Sequence, residues 1–276
     1  MKTTQKGKGY GFSTKRKKSA SYRKHHRHRR GDRKAVGGRG RSSHRPRPQC
    51  RSSISSAECT SSGSADAALA LGEVNTDTEA DHVVSQALEA FEGVDILVNN
   101  AGRFFGQPWV DTEPAEWNSI YNNNVTSTVR VSRRLAPLMA ERRWGRIINL
   151  ASTIGLMPDV NMAAYAATKA ALHNLSVALS RDLGRQGVTV NAISPGLTNS
   201  AGVQYLLQMM VEAHGWPSEP AQLEQKAVGA WAPNPVGRMG RVEEVASLVA
   251  FVASPLADYI NGSNLRIDGG LDPTIS

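Results

Sequence analysis

Beyond residue 62, hydrophobic positions along the chain fall into two alternating rhythms. Short apolar runs bounded by Gly, Asn or Ser occupy 67–74, 94–99, 146–151, 188–194 and 264–268, and each reads as a buried strand. Between them lie segments with helical spacing: 78–91, with Val83, Val84, Leu88 and Phe91 on one face, then 113–142, 163–185 and 243–253. Glu113-Pro114 opens the second of these, since proline is tolerated in a first helical turn. Strands alternating with helices predict a parallel sheet in an α/β domain, doubly wound, with helices on both faces. Residues 197–235 are looser, with Met209, Met210, Trp216, Trp231 and several prolines. Residues 1–62 follow neither rhythm.

Charge sharpens that division. The net charge of +9 is unevenly placed: residues 1–51 carry 19 of the 33 Lys and Arg and one acid, Asp32, which leaves the remainder at −9. A basic segment, 1–62, precedes an acidic globule, 63–276, and composition alone predicts disorder for the first. Cys50 and Cys59 both lie before the globule, so no internal disulfide is expected there, and a reducing, cytoplasmic setting is the default. No apolar run approaches the roughly 18 residues that span a membrane. No apolar stretch near Met1 marks a secretory signal.

The candidate chemistry sits between 99 and 199. Tyr165 and Lys169 are four residues apart on a predicted helix, hence on one face, with Ser152 thirteen positions upstream of Tyr165. A cation beside a phenol favours the phenolate, so the pair predicts a tyrosine pKa drawn down from about 10. Such a tyrosine suits proton exchange with an alcohol or carbonyl oxygen. Asn99-Asn100-Ala101-Gly102 closes one predicted strand, Trp117 to Asn124 opens a helix, and Asn191 to Gly196 closes another strand.

With these motifs in this order, the chain resembles the classical short-chain dehydrogenases/reductases over about 63–276, and most closely the 3-oxoacyl-acyl-carrier-protein-reductase-like members. The resemblance implies a single Rossmann-like domain that binds NAD(H) or NADP(H) at the carboxyl ends of its strands. It implies Tyr165 as general acid/base, Lys169 as its partner and a ligand of the nicotinamide ribose, Ser152 on the substrate oxygen, and Asn124 holding a water of the proton relay. Asn99, Asn100, Ala101 and Gly102 would lie under the adenosine side, and Pro195 and Gly196 beside the nicotinamide. Glu73 and Val74 stand where an Asp-Val pair usually meets the adenine. Asn199 stands where a threonine is common, and Thr198 is the nearest alternative for that contact. The looser 197–235 segment resembles a substrate lid. The small residues Ala163, Ala167, Ala170 and Ala171 resemble the helix faces through which such proteins form homodimers or homotetramers. The resemblance implies a small carbonyl or alcohol substrate and no metal.

The first βαβ unit of that fold is missing or replaced, and with it the fingerprint Thr-Gly-x-x-x-Gly-Ile-Gly, whose amides and helix N-terminus hold the pyrophosphate. Three readings of 1–62 are open. Tyr10, Phe12 and Tyr22 among Lys and Arg suit a nucleic-acid-binding arm. An Arg- and Ser-rich, acid-poor segment suits a transit peptide. A shifted reading frame is the third. When the last two bases of each codon join the first of the next, Tyr22 to Arg29 permit Thr-Gly-Ser-Thr-Thr-Gly-Ile-Gly. Ser19 to Ser21 permit Ala-Leu-Val before it, 30–41 an alanine-rich helix, and 42–49 Val-Val-Ile-Gly-Arg-Asp-Arg-Asn. Four elements in the expected order favour the shifted frame, restored between Arg51 and Ala67. The chain therefore reads as an NAD(P)(H)-dependent oxidoreductase interconverting a secondary alcohol and a ketone. The rival is a nucleic-acid-binding protein with a basic arm on a non-catalytic core.

Overall fold

The apolar runs pair side by side because each carries side chains for both faces of a sheet. The computed structural model describes residues 70–90, 93–104 and 106–275. The expectations for 1–62 lie outside them. Four parallel strands, β1 (Ile96–Asn99), β2 (Gly145–Leu150), β3 (Val188–Pro195) and β4 (Asn264–Ile267), form one sheet in the order β1-β2-β3-β4. The register sets Leu97 beside Ile147, Asn99 beside Asn149 and Ile193 beside Leu265.

Period-two alternation then sorts the two faces. Leu97, Ile147 and Val190 point to the side covered by α1 (Asp77–Ala90) and α3 (Ser127–Glu141), where Val83, Val131, Leu135 and Met139 fill the core. Val98, Ile148, Ile193 and Leu265 meet α7 (Val242–Ala253) on the other side. Removing a side chain such as Leu97 or Ile147 from water is worth about 1.5–3 kcal/mol, which makes these layers the anchor of the strand ends. Helix α4 (Ala163–Leu183) packs Leu172 against Ala151 and Ala192, on the α1–α3 side of the sheet.

Buried polar side chains on that side are paired across elements. Asn99 Nδ2 donates to Asn149 Oδ1 (2.8 Å) and Ser132 Oγ (3.2 Å), and Asn149 Nδ2 donates to Ser176 Oγ (2.9 Å). The chain of bonds ties β1, β2, α3 and α4 together and fixes where the strands end relative to the helix.

Two expectations need correction. The strand expected at 67–74 is absent over the described residues 70–74. Side chains take the backbone groups that a ladder would use. Gln86 bonds both the N–H (3.2 Å) and the carbonyl (3.1 Å) of Leu71, and Arg130 Nη1 donates to the Val74 carbonyl (3.2 Å). Among the described residues no strand lies beside 70–74, and a strand needs a neighbour. The long helix expected over 113–142 runs unbroken but carries a wider turn: α2 (Pro114–Tyr121), a π turn (Asn122–Thr126) and α3. Three successive asparagines occupy the wider turn. Asn123 Nδ2 bonds the Ser119 carbonyl (2.8 Å), Asn122 Nδ2 reaches the Asn75 carbonyl (3.0 Å), and the Asn124 side chain points into the site. The looser segment contains two helices, α5 (Ala201–His214) and α6 (Pro220–Trp231).

Candidate active site

The carboxyl ends of β1, β2 and β3 deliver three short loops to one place, and α4 lies across them. After β2 the chain passes Ala151 to Ser152, whose extended backbone starts a single 3-10 turn, Thr153–Gly155. Ser152 Oγ accepts the amide hydrogen of Ile154 (3.3 Å) and faces the Tyr165 hydroxyl closely enough to favour its ionised form. Tyr165 and Lys169, a turn apart on α4, face this loop, with Lys169 Nζ 5.6 Å from the centre of the Tyr165 ring. Phe104 meets Tyr165 edge-on, ring centres 5.4 Å apart. Lys169 is buried and donates to the Leu150 carbonyl at the end of β2 (2.8 Å). One of its three protons is thus committed to the strand.

The expected pKa of Tyr165 is overturned. Desolvation pushes the phenol up to about 12, against the lowering effect of the Ser152 hydrogen bond. The same burial brings Lys169 down to about 8. Loss of water outweighs the attraction of an ammonium group that is bonded to Leu150 instead.

Asn124, fully buried, projects from the π turn and uses its whole side chain on neighbours. Its Oδ1 accepts from the Arg103 amide (2.6 Å), while Nδ2 donates to the Arg103 carbonyl (3.0 Å) and Thr168 Oγ1 (3.0 Å). It thereby clamps the loop after β1 to α4. Gly102 lies inside that clamp: a β-carbon there would stand 3.2 Å from Asn124 Oδ1 and 3.9 Å from Lys169 Nζ. Ala101 packs on the core, Asn99 is buried in the polar chain described above, and Asn100 is exposed.

Pro195 and Gly196 close β3 beside this group. Thr153 Oγ1 donates to the Pro195 carbonyl (3.3 Å), and a β-carbon on Gly196 would come within 2.9 Å of Asp268 Cα, so only glycine fits. Thr198 donates to the Gly196 carbonyl (3.1 Å) and bridges Gly240; Asn199 Oδ1 is buried with no partner among the described residues. Gly102, Asn124, Ser152, Tyr165 and Lys169 are therefore gathered, with Pro195, Gly196 and Thr198 at their border. Glu73 and Val74 sit elsewhere: Glu73 accepts from Asn75 Nδ2 (3.1 Å) and Val74 belongs to the α1–α3 core. Thr153, Thr168 and Asn149, which position these groups, carry no sequence signal beyond lying next to motif residues.

The residues present fit the nicotinamide-ribose side of a dinucleotide. A buried ammonium and two glycines that admit close approach converge at the strand ends. Among the described residues no glycine-rich turn precedes β1, so residues 70–275 do not furnish the pyrophosphate side.

A parallel sheet with helices on both faces and a Ser–Tyr–Lys group at its carboxyl ends defines a Rossmann-like oxidoreductase. Residues 53–272 match the family model described as enoyl-(acyl carrier protein) reductase. The 3-oxoacyl-[acyl-carrier-protein] reductase of Vibrio cholerae is 36% identical over 197 residues, 71% of this chain and 74% of that protein. Nodulation protein G of Azospirillum brasilense is 34% identical over 205 residues, 74% and 76% of the two chains. Among solved structures, L-sorbose reductase of Gluconobacter frateurii, complexed with NADPH and L-sorbose, superposes with a TM-score of 0.70 at 30% identity, covering 75% of this chain and 77% of that one. The chain belongs to the short-chain dehydrogenases/reductases, NAD(P)(H)-dependent oxidoreductases that act on CH–OH groups.

Proposed function

We propose that the site interconverts a secondary alcohol and a ketone, with Tyr165 as the proton donor and acceptor. The observation that carries this is the convergence of Ser152, Tyr165 and buried Lys169 at the carboxyl ends of β2 and β3. The nicotinamide, when bound, supplies or takes the hydride. In the reducing direction the Tyr165 hydroxyl gives its proton to the substrate oxygen, which Ser152 holds by a hydrogen bond. Tyr165 enters that step protonated, as its raised pKa ensures at neutral pH. The Lys169 ammonium stabilises the phenolate left behind and offers its free protons to the ribose. Because the Asn124 side chain is fully used, a relay water held by this residue would bond its backbone carbonyl, in the π turn. Pro195, Gly196 and Thr198 border the nicotinamide, and Asn99 to Gly102 lie under the adenosine side. Exposed Ala167 and Ala170 on α4 support assembly into a homodimer or homotetramer, and no helix of the described residues is long and apolar enough to cross a membrane, as a cytoplasmic enzyme requires.

We infer also that codons for the first sixty residues are read one base out of frame, so that the chain as written lacks its phosphate turn. Support comes from β1, left as an edge strand among the described residues, and from 70–74, which is held by side chains rather than by a ladder. Resequencing codons 10–70 tests this directly: a single-base slip into a Thr-Gly-x-x-x-Gly-Ile-Gly frame is expected, and an unbroken written frame without that string refutes it. For the catalytic assignment, NAD(P)H turnover with a panel of ketones is measured on a frame-restored chain. Tyr165→Phe should lose at least ~100-fold in kcat, the usual size of a general-acid contribution; retention of activity would overturn the assignment.

A further inference from the structure

His173 lies one turn beyond Lys169 on α4, and its ring reaches three pieces of the site. Its Nε2 stands 2.8 Å from Ser194 Oγ, and Ser194 Oγ donates onward to Asn264 Oδ1 at 2.6 Å. A hydroxyl has one proton, so with that proton on Asn264 the imidazole must carry hydrogen on Nε2. Ser194 is fully buried and immediately precedes Pro195-Gly196. On another side, Cε1 lies 3.1 Å from where a β-carbon on Gly155 would be, so the ring also supports the turn that begins at Ser152. Burial, and then the charge of Lys169, hold the ring below the ordinary histidine range. Ser194 on β3, Asn264 on β4 and Gly155 in the turn bring no charge to it, which leaves Lys169 as the ionised group it senses.

We infer that His173 is a positioning residue of this site: an imidazole with hydrogen on Nε2, tying the Tyr165–Lys169 helix to the strand end at Ser194 and to the turn behind Ser152. What it positions rests on the function proposed above; the bond does not. Standing one turn beyond Lys169 on the same helix face, the ring also senses the charge of that ammonium. Acid leaves the Nε2 hydrogen in place, so the bond to Ser194 survives. Protonation instead sets a second cation near Lys169.

Nitrogen NMR of the full chain labelled with 15N-histidine tests both parts without any cofactor. The His173 signals are identified by their loss in His173→Gln, which keeps an N–H donor for Ser194. At pH 7.5 a protonated Nε2 and a bare Nδ1 are expected, and Ser194→Ala should move the Nε2 signal. The titration midpoint should lie below that of free histidine and rise by about half a pH unit or more in Lys169→Met. Hydrogen on Nδ1 would refute the bonding scheme. A midpoint that Lys169→Met leaves unmoved, in a folded variant, would reduce His173 to a packing residue. Should that variant unfold, Lys169→Gln makes the same comparison. Loss of turnover in Tyr165→Phe is a separate measurement, so either idea can fail alone.

Discussion

Gly155 rests directly on the backbone of α4. A β-carbon there would stand 2.7 Å from the Ala170 nitrogen and 2.8 Å from the Lys169 carbonyl carbon, and backbone atoms cannot move aside as a flexible side chain does. Gly155→Ala should therefore push the turn away from the helix and lower stability by about 1–3 kcal/mol, read as a drop in the urea midpoint. Lys169 gives a second residue-scale prediction. Its folded pKa, about 8, lies below the ordinary 10.5, so between pH 8 and 10.5 the unfolded chain holds more protons and stability rises with pH. Relative to Lys169→Met, the native chain should gain on the order of 3 kcal/mol across that window, and a flat difference would show that the ammonium is not desolvated. Tyr165 acts in the opposite sense higher up: with its pKa at about 12 against 10, stability falls as pH rises from 10 to 12. The Tyr165–Lys169 pairing was legible in the sequence because i and i+4 share a helix face. The sign of the tyrosine shift was not, because it depends on burial and on the Leu150 carbonyl, which lies 19 residues from Lys169 and accepts its hydrogen bond. His173 was equally silent: only the packing of α4 onto β3 brings it to Ser194.

Among the elements, the π turn at Asn122–Thr126 does most to build the site. It turns Asn124 toward the loop after β1, where three hydrogen bonds hold the backbone of Arg103 and the hydroxyl of Thr168. Asn124→Ala should free that loop, and the Arg103 amide, bonded at 2.6 Å to the lost side chain, should exchange with solvent at least ~10-fold faster. Unchanged exchange would mean that the clamp is redundant. The apolar spacing through 113–142 predicted one continuous helix, because an added residue in one turn barely disturbs so long a pattern. Strand positions fared better: 94–99, 146–151, 188–194 and 264–268 each coincide with an observed strand to within two residues. The exception, 67–74, has strand-like composition but no partner among the described residues, and pairing is what makes a strand.

At the scale of the molecule, the described residues form the part of a doubly wound domain that gathers Ser152, Tyr165 and Lys169, with β1 and β4 at the sheet edges. Its relatives include reductases, and the Vibrio cholerae protein is matched over 74% of its length. The family and the strand–helix alternation were legible because they rest on short motifs and on apolar spacing within single elements. The adenine-side role of Glu73 and Val74 stays a proposal: Glu73 accepts a hydrogen bond from Asn75, and Val74 lies in the α1–α3 core. The out-of-frame reading makes a quantitative forecast. The chain as written should bind NADPH at least ~100-fold more weakly than a frame-restored chain, by loss of charge-assisted bonds worth roughly 1.5–3 kcal/mol each, and equal affinities in a fluorescence titration would refute it.

As proposed, this site moves a hydride under the control of Tyr165. The most direct test follows deuterium from NADPH labelled at the nicotinamide C4 into a secondary-alcohol product, using the frame-restored chain and its Tyr165→Phe variant. Deuterium on the carbinol carbon with the native tyrosine, and none above background with the variant, is the predicted result. Label transferred equally well by both, or by neither across the ketone panel despite NADPH binding, would contradict the claim.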